Sequence, residues 1–282
     1  MIPKIGAHVS TQGGLYKCFE NAKRIGAEAV QIFASAPQQW AVRPLSETDI
    51  EKFEKAQKES NVGPVFIHAS YLVNLASPDE ILRMKSVKSL TDSLKISEAI
   101  GAQGLIFHIG SGKEAPKEQG IENVTNGVKE VFKNVPGKSQ IILENSAGGG
   151  HKIGATSEDI GKLLKKINSP RAKICFDTAH AFEAGIIENY TPENIKKLLN
   201  EWDTEVGLEN IVSLHINDSN TAFGSHHDKH ENLGKGFIGL DSFKNLAKEK
   251  RLYDKAWLLE VPGLDRLGPD EWNIDVLKSC FS

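Results

Sequence analysis

Eight short apolar runs recur along the 282 residues, each followed by a helix-like segment. They are Lys4 to Ala7, Ala29 to Phe33, Val65 to Ile67, Gly104 to Phe107, Gln140 to Leu143, Ala172 to Phe176, Ile211 to Leu214 and Ala256 to Leu259. A chain that alternates strand and helix in this way lays its strands parallel, because each helical crossover returns it to the same end of the sheet. Two architectures satisfy that pattern, a closed (β/α)₈ barrel and an open doubly wound sheet. What ends the runs favours the barrel. The closing residues are His8, Ala34, His68, His108, Glu144, Asp177, His215 and Glu260, so seven of the eight are His, Asp or Glu. In a barrel these C-terminal strand ends converge on one face. One such residue can be an ordinary polar group, but seven at one rim carry a heavy desolvation cost unless cations offset it. No low-complexity linker or break in composition interrupts the pattern. Residues 1–282 are therefore expected to form a single TIM-barrel domain.

Local signals place the helices. Ile81, Met84, Val87, Leu90 and Leu94 recur at spacings of three and four, which predicts one apolar face on a long helix between the third and fourth runs. Ser77, Pro78 and Glu80 are expected to start it as cap, first helical residue and capping-box acid. Thr191 and Pro192 open the sixth helix in the same manner. Gly26, Gly101 and Gly137 stand where the chain reverses into the next strand.

Two further pairs add to the polar strand ends. Asp177 and His180 lie three apart where the sixth strand passes into a turn. Asp228 and His230 lie two apart in the seventh loop, so in an extended segment both point to one side. The candidate ligands are then five histidines, His68, His108, His180, His215 and His230, and four carboxylates, Glu144, Asp177, Asp228 and Glu260. Nine ligands at three or four per ion suit two or three ions. Imidazole mixed with carboxylate and no thiolate points to Zn²⁺, with Mn²⁺ or Fe²⁺ as alternatives. Clusters of this composition serve phosphate-ester hydrolysis, since they generate hydroxide near neutral pH and neutralise phosphate oxygens.

Composition narrows the setting. Cys18, Cys175 and Cys280 are widely spaced and form no C-x-x-C pair, which argues against a disulfide frame or a thiolate zinc site. No apolar run approaches the roughly 20 residues that cross a bilayer, and the start MIPKIGAHVS has no signal-like core, so a cytoplasmic protein without membrane contact is expected. The formal charge of −3, with lysines dispersed as at Lys162 to Lys166, offers no basic patch for nucleic acid. Three divalent ions, adding six charges, would carry the molecule from −3 to +3 and create a pole that attracts a polyanion.

The motifs resemble those of the endonuclease IV family, zinc-dependent apurinic/apyrimidinic endonucleases of base-excision repair. The resemblance runs through IGAHVS (Ile5 to Ser10), HASYLVNL (His68 to Leu75), FHIGS (Phe107 to Ser111), LENSAG (Leu143 to Gly148) and FDTAHAFEAG (Phe176 to Gly185). It continues through HINDS (His215 to Ser219), DKHENLGKGFIG (Asp228 to Gly239) and LLEVP (Leu258 to Pro262). It implies three Zn²⁺ ions on a (β/α)₈ barrel: one held by His68, His108 and Glu144; a second by Glu144, Asp177, His215 and Glu260; a third by His180, Asp228 and His230. It also implies a metal-bridging hydroxide that cleaves double-stranded DNA 5′ to an abasic site. The products would be a 3′-hydroxyl and a 5′-deoxyribose phosphate, and blocked 3′ ends would be removed as well. By position, Gln38, Gln39, Tyr71 and Leu72 match the family's DNA-probing residues, with Trp40 beside them. A monomer is expected. The chain departs from the family pattern at Gln38, where many relatives carry arginine, and at Val261, where threonine is frequent. His226 and His227 match no family ligand, and His8 is expected to stand behind the ligands. Two other readings share these residues: a metal-dependent sugar isomerase or epimerase on the same barrel, and a damaged-DNA binder that does not cut.

Overall fold

The computed structural model describes residues 2–282. Eight parallel strands, Lys4–His8, Ala29–Phe33, Val65–His68, Gly104–His108, Gln140–Glu144, Ala172–Asp177, Ile211–His215 and Ala256–Leu259, close into a barrel. Each strand pairs with its neighbour in sequence, and the first closes on the last through Lys4↔Ala256 to Ala7↔Leu259. Closure excludes the doubly wound sheet, which needs a reversal of strand order. In six strands the ladder runs one residue past the apolar run and takes in His8, His68, His108, Glu144, Asp177 or His215. Backbone pairing is indifferent to side-chain polarity, so His108↔Glu144 and Asp177↔His215 stand in register at the rim.

Strand periodicity aims these residues inward. Phe66, Ile106, Ile142, Cys175, Ala256 and Leu258 belong to a small buried cluster distinct from the larger core between sheet and helices. Side chains alternate along a strand, so the residue two positions after each inward one also points inward. Phe66 is followed in this way by His68, Ile106 by His108, Ile142 by Glu144, Cys175 by Asp177 and Leu258 by Glu260. The apolar plug thus carries a polar layer directly above it.

Several local expectations shift. The helix after the third strand spans Glu80–Ala99, and its cap is Asp79, whose side chain accepts from the Leu82 amide. Ser77 is not that cap and Pro78 lies before the helix, because the Ser77 hydroxyl is turned to the Asp79 amide at 3.1 Å. Val87, Leu90 and Leu94 are buried as expected, but Ile81 and Met84 are 66% and 65% exposed. A helix of 20 residues is about 30 Å long, whereas a four-residue strand spans about 13 Å, so the first turns overhang the sheet they pack on. Thr191 caps Pro192–Glu205 as expected, accepting from the Asn194 amide. Before it stands a short helix, Thr178–Glu183, where the sequence suggested a turn; Asp177 is its cap. Gly26 and Gly101 take left-handed φ values of +74° and +64° just after helices, and Gly137 takes +149°.

Candidate metal centre

The nine candidate ligands, drawn from seven segments of the chain, converge at the barrel mouth. His68 Nε2 and His108 Nε2 lie 3.3 and 3.2 Å from Glu144 Oε2. His215 Nδ1 lies 3.0 Å from Glu144 Oε1, 3.2 Å from Glu260 Oε2 and 3.7 Å from Asp177 Oδ2. Asp228 Oδ1 is 3.2 Å from His180 Nε2 and 3.6 Å from His230 Nε2. Four-coordinate zinc with bonds of 2.0–2.1 Å separates its ligands by about 3.3 Å, the spacing around which these distances cluster. Two compact groups coincide with expected sets: His68 with His108 and Glu144, and Glu144 with Asp177, His215 and Glu260. The remaining set is divided. Asp228 groups with His108 and His180, while His230 groups with Asp177 and His180. Asp228 sits on a half-exposed loop and leans over His108, which spreads this set across the mouth.

The donor atoms are oriented for a cation rather than for one another. Buried Nε2 atoms of His180 and His230 have no hydrogen-bond partner among the described residues, although Asp228 Oδ1 is close to both. The second ring nitrogen is occupied elsewhere. His68 Nδ1 donates to the Ala69 carbonyl and His180 Nδ1 to the Asn145 carbonyl, each at 2.8 Å, which leaves Nε2 as a lone pair facing the mouth. Protonation tells the same story. Burial alone would raise the Glu144 carboxyl, yet His215 and His108 beside it hold it well below the usual carboxylate range. Burial alone would lower His180, but Asp177 and Asp228 raise it well above the ordinary imidazole value. A cation entering this site therefore takes the place of protons.

Residues that the sequence did not single out fix the arrangement. Gln31, fully buried on the second strand, accepts from His215 Nε2 at 2.7 Å, and its amide reaches Glu260 Oε1 and, at 3.0 Å, His8 Nδ1. The second strand ends on Phe33 and is followed by Ala34, which offers no ligand; its contribution is the inward amide of Gln31. Its signal in the sequence is a polar residue inside an apolar run. His8 stands behind Glu260 at 3.6 Å, as expected, and burial lowers the pKa of its imidazole against the opposing pull of Glu260. Asn217 donates to Asp177 Oδ2 at 2.7 Å and accepts from the Glu260 amide at 2.8 Å, while Asn145 Oδ1 accepts from the Asp177 amide. We expect Gln31→Leu to leave the fold intact but lower the equilibrium metal content of dialysed protein, since His215 then loses the acceptor that fixes its tautomer. Unchanged metal stoichiometry and affinity in that variant would remove Gln31 from this role.

The expected DNA-probing residues divide in two. Tyr71 is 58% exposed at the mouth, edge-on to Phe33 and stacked over His108 with ring centres 5.4 and 6.2 Å apart. Its amide donates to the Pro37 carbonyl at 3.0 Å, so the second and third loops are tied together. Leu72 is half-buried beside it and lines the mouth. Gln38 and Gln39 are exposed on the outer turn of the second loop, outside the cavities at the mouth, and Trp40 is half-buried. His226 packs over Gly148 and Gly149, with Nδ1 3.2 Å from the Ala147 carbonyl, and His227 is exposed. Val261 is buried.

Residues 19–280 match the family profile described as "Xylose isomerase-like TIM barrel". "Probable endonuclease 4" of Halothermothrix orenii is 34% identical over 98% of this chain and 99% of its own length. The protein of the same name from Aquifex aeolicus is 36% identical, covering 98% and 97%. Among solved structures, endonuclease IV from Thermus thermophilus superposes with a TM-score of 0.87 at 35% identity, covering 99% of this chain and 98% of that one. A D-tagatose 3-epimerase-like protein shares the fold, with a TM-score of 0.72 at 21% identity over 98% and 96%.

Proposed function

Since this chain belongs to the endonuclease IV family, we propose that it is a DNA-repair phosphodiesterase that cuts duplex DNA 5′ to abasic sites and clears blocked 3′ ends. The products of this reading are a 3′-hydroxyl and a 5′-deoxyribose phosphate. One observation carries it: the unpartnered Nε2 atoms of His180 and His230 beside Asp228, a donor set additional to the two groups built on Glu144. A sugar isomerase or epimerase acting on a small metal-bound sugar has no need of it.

His68, His108 and Glu144 would hold one Zn²⁺, Glu144, Asp177, His215 and Glu260 a second, and His180, Asp228 and His230 a third; Mn²⁺ or Fe²⁺ would suit the same donors. Ions held there supply hydroxide at neutral pH and neutralise charge on the phosphate and the departing oxygen. The chain's own part is orientation. Glu144 reaches both ring pairs with its two oxygens, Gln31 and Asn217 fix His215, Glu260 and Asp177, and the tyrosine ring of Tyr71 covers His108. Tyr71 and Leu72 are the residues we assign to the duplex at the lesion, where a missing base makes it easiest to open. Gln38 and Gln39 would touch the backbone from the outer turn of their loop, and Gln38 would do so without an arginine's charge. Residues 1–282 are taken to act as one domain, as a monomer, and in the cytoplasm where the DNA lies. Among the described residues no helix is long and apolar enough to cross a membrane.

A duplex carrying one synthetic abasic analogue tests the reading. Incision is expected on the 5′ side of the analogue, lost on prolonged dialysis against a chelator and regained with Zn²⁺. Binding without incision would support a non-cutting binder instead. Indifference to the duplex, with turnover of a ketose or aldose, would support the isomerase.

A further inference from the structure

Two cavities flank the ridge made by Tyr71. The larger, about 820 Å³, lies under the loops that follow the first, second and eighth strands, and the smaller, about 410 Å³, under those that follow the third, fourth and fifth. Tyr71, His108 and Asp228 border both. Each cavity contains one side chain of fixed positive charge: Arg266 in the larger and Lys152 in the smaller. Among the described residues neither makes an ion pair, so both are free to meet an anion in these cavities.

The backbone fixes where both side chains leave the main chain. Arg266 has φ +62° at the tip of a loop whose neck is closed by the Gly268 amide on the Pro262 carbonyl at 2.9 Å. That neck is so tight that a Cβ on Gly263 would come within 2.0 Å of the Gly268 carbonyl oxygen. Leu267 beside it is 87% exposed. Lys152 follows four left-handed residues, Gly148 to His151, and its backbone pairs with that of Ser111, which also lines the smaller cavity. Left-handed backbone at a side-chain-bearing residue persists only where its surroundings impose it. Electrostatics point the same way: divalent ions held at the mouth would add positive charge beside these two side chains, and an anion lying along the mouth would be attracted by all of them.

We propose that the strand to be cut crosses the Tyr71 ridge with the phosphate on one side of the scissile linkage against Arg266 and the phosphate on the other side against Lys152. This bracket rests on the endonuclease reading and deepens it by assigning the path of the strand. It also puts charge into the larger cavity from the eighth loop, where the second loop contributes only the uncharged Ser35, Ala36 and Pro37. Because both contacts are to backbone, they strengthen binding uniformly across sequences and carry no base preference.

The test is a cycle between Arg266→Gln or Lys152→Gln and abasic duplexes in which one phosphate flanking the cut, on either side, is replaced by an uncharged methylphosphonate. With wild type, each neutral phosphate is expected to raise KM by roughly threefold to tenfold, with kcat little changed. Arg266→Gln becomes insensitive to neutralisation on one side only, and Lys152→Gln on the other side only. Each variant lowers the steepness of the log KM against log salt plot by about 1. If the wild type cuts the unmodified duplex but both variants stay equally sensitive to both replacements, the bracket is wrong and the endonuclease reading stands. A wild type that leaves the unmodified abasic duplex intact overturns both.

Discussion

Glu144→Ala abolishes incision, lowering the rate by roughly 10³-fold or more, a loss of the size seen when groups that stabilise transition-state charge are removed. The carboxylate is fully buried and lies close to ligands of every set: His68 and His108 through Oε2, and His215 and His180 through Oε1, all within 3.3 Å. Its removal leaves several imidazoles without the acid that holds them, so metal content is expected to fall together with activity. Metal analysis and single-turnover incision on the same preparation check this. A variant that cuts at the wild-type rate with full metal content would refute the bridging role.

Asp218→Ala is expected to cost about 4 kcal/mol of stability, roughly 10 °C in Tm, and to loosen the donor set that includes His230. The Asp218 carboxylate is buried and accepts from the amides of Ser219, Gly234, Gly236 and Ile238 at 2.9–3.1 Å, with Gly239 at 3.3 Å. It thereby folds the whole Asn232–Gly239 loop around one acid, and burial raises its pKa against the pull of these donors. The backbone comes so close that a Cβ on Gly236 would lie 2.3 Å from the Ser219 carbonyl and 2.5 Å from Asp218 Oδ1. The same segment pairs with the ligand loop, Ser219 facing His230 in a two-stranded ribbon. Thermal unfolding and metal titration should therefore change together. Loss of stability with normal metal binding would mean that the loop and His230 are not coupled.

These two acids show how unevenly the site can be read from the chain. Glu144 is legible because it closes an apolar run and belongs to a motif, so its inward direction follows from the period of two along the strand. Asp218 stands three residues after His215 in the HINDS stretch and carries no signal of its own, because its partners other than the adjacent Ser219 are amides 16 to 21 residues away. Gln31 is similar: nothing near it in sequence announces that His215, 184 residues on, needs an acceptor. The expected apolar stripe over Ile81 to Leu94 failed in its first turns for a related reason. Periodicity records which face of a helix is apolar but not how far the sheet beneath it extends.

The sequence by itself determined the alternation of eight strands and helices, the polar residues at the strand ends, and the family to which those motifs belong. All of these are local or periodic properties, fixed by residues a few positions apart. The closed barrel expected from those strand ends is the one observed, but only the tertiary structure decided that Asp228 leans toward His108 while His230 turns to Asp177, that Gln31 and Asn217 anchor the ligands, and that Arg266 and Lys152 stand unpaired on opposite sides of Tyr71. Those relations join residues far apart in the chain, and closure of the barrel is the step that brings them within reach of one another.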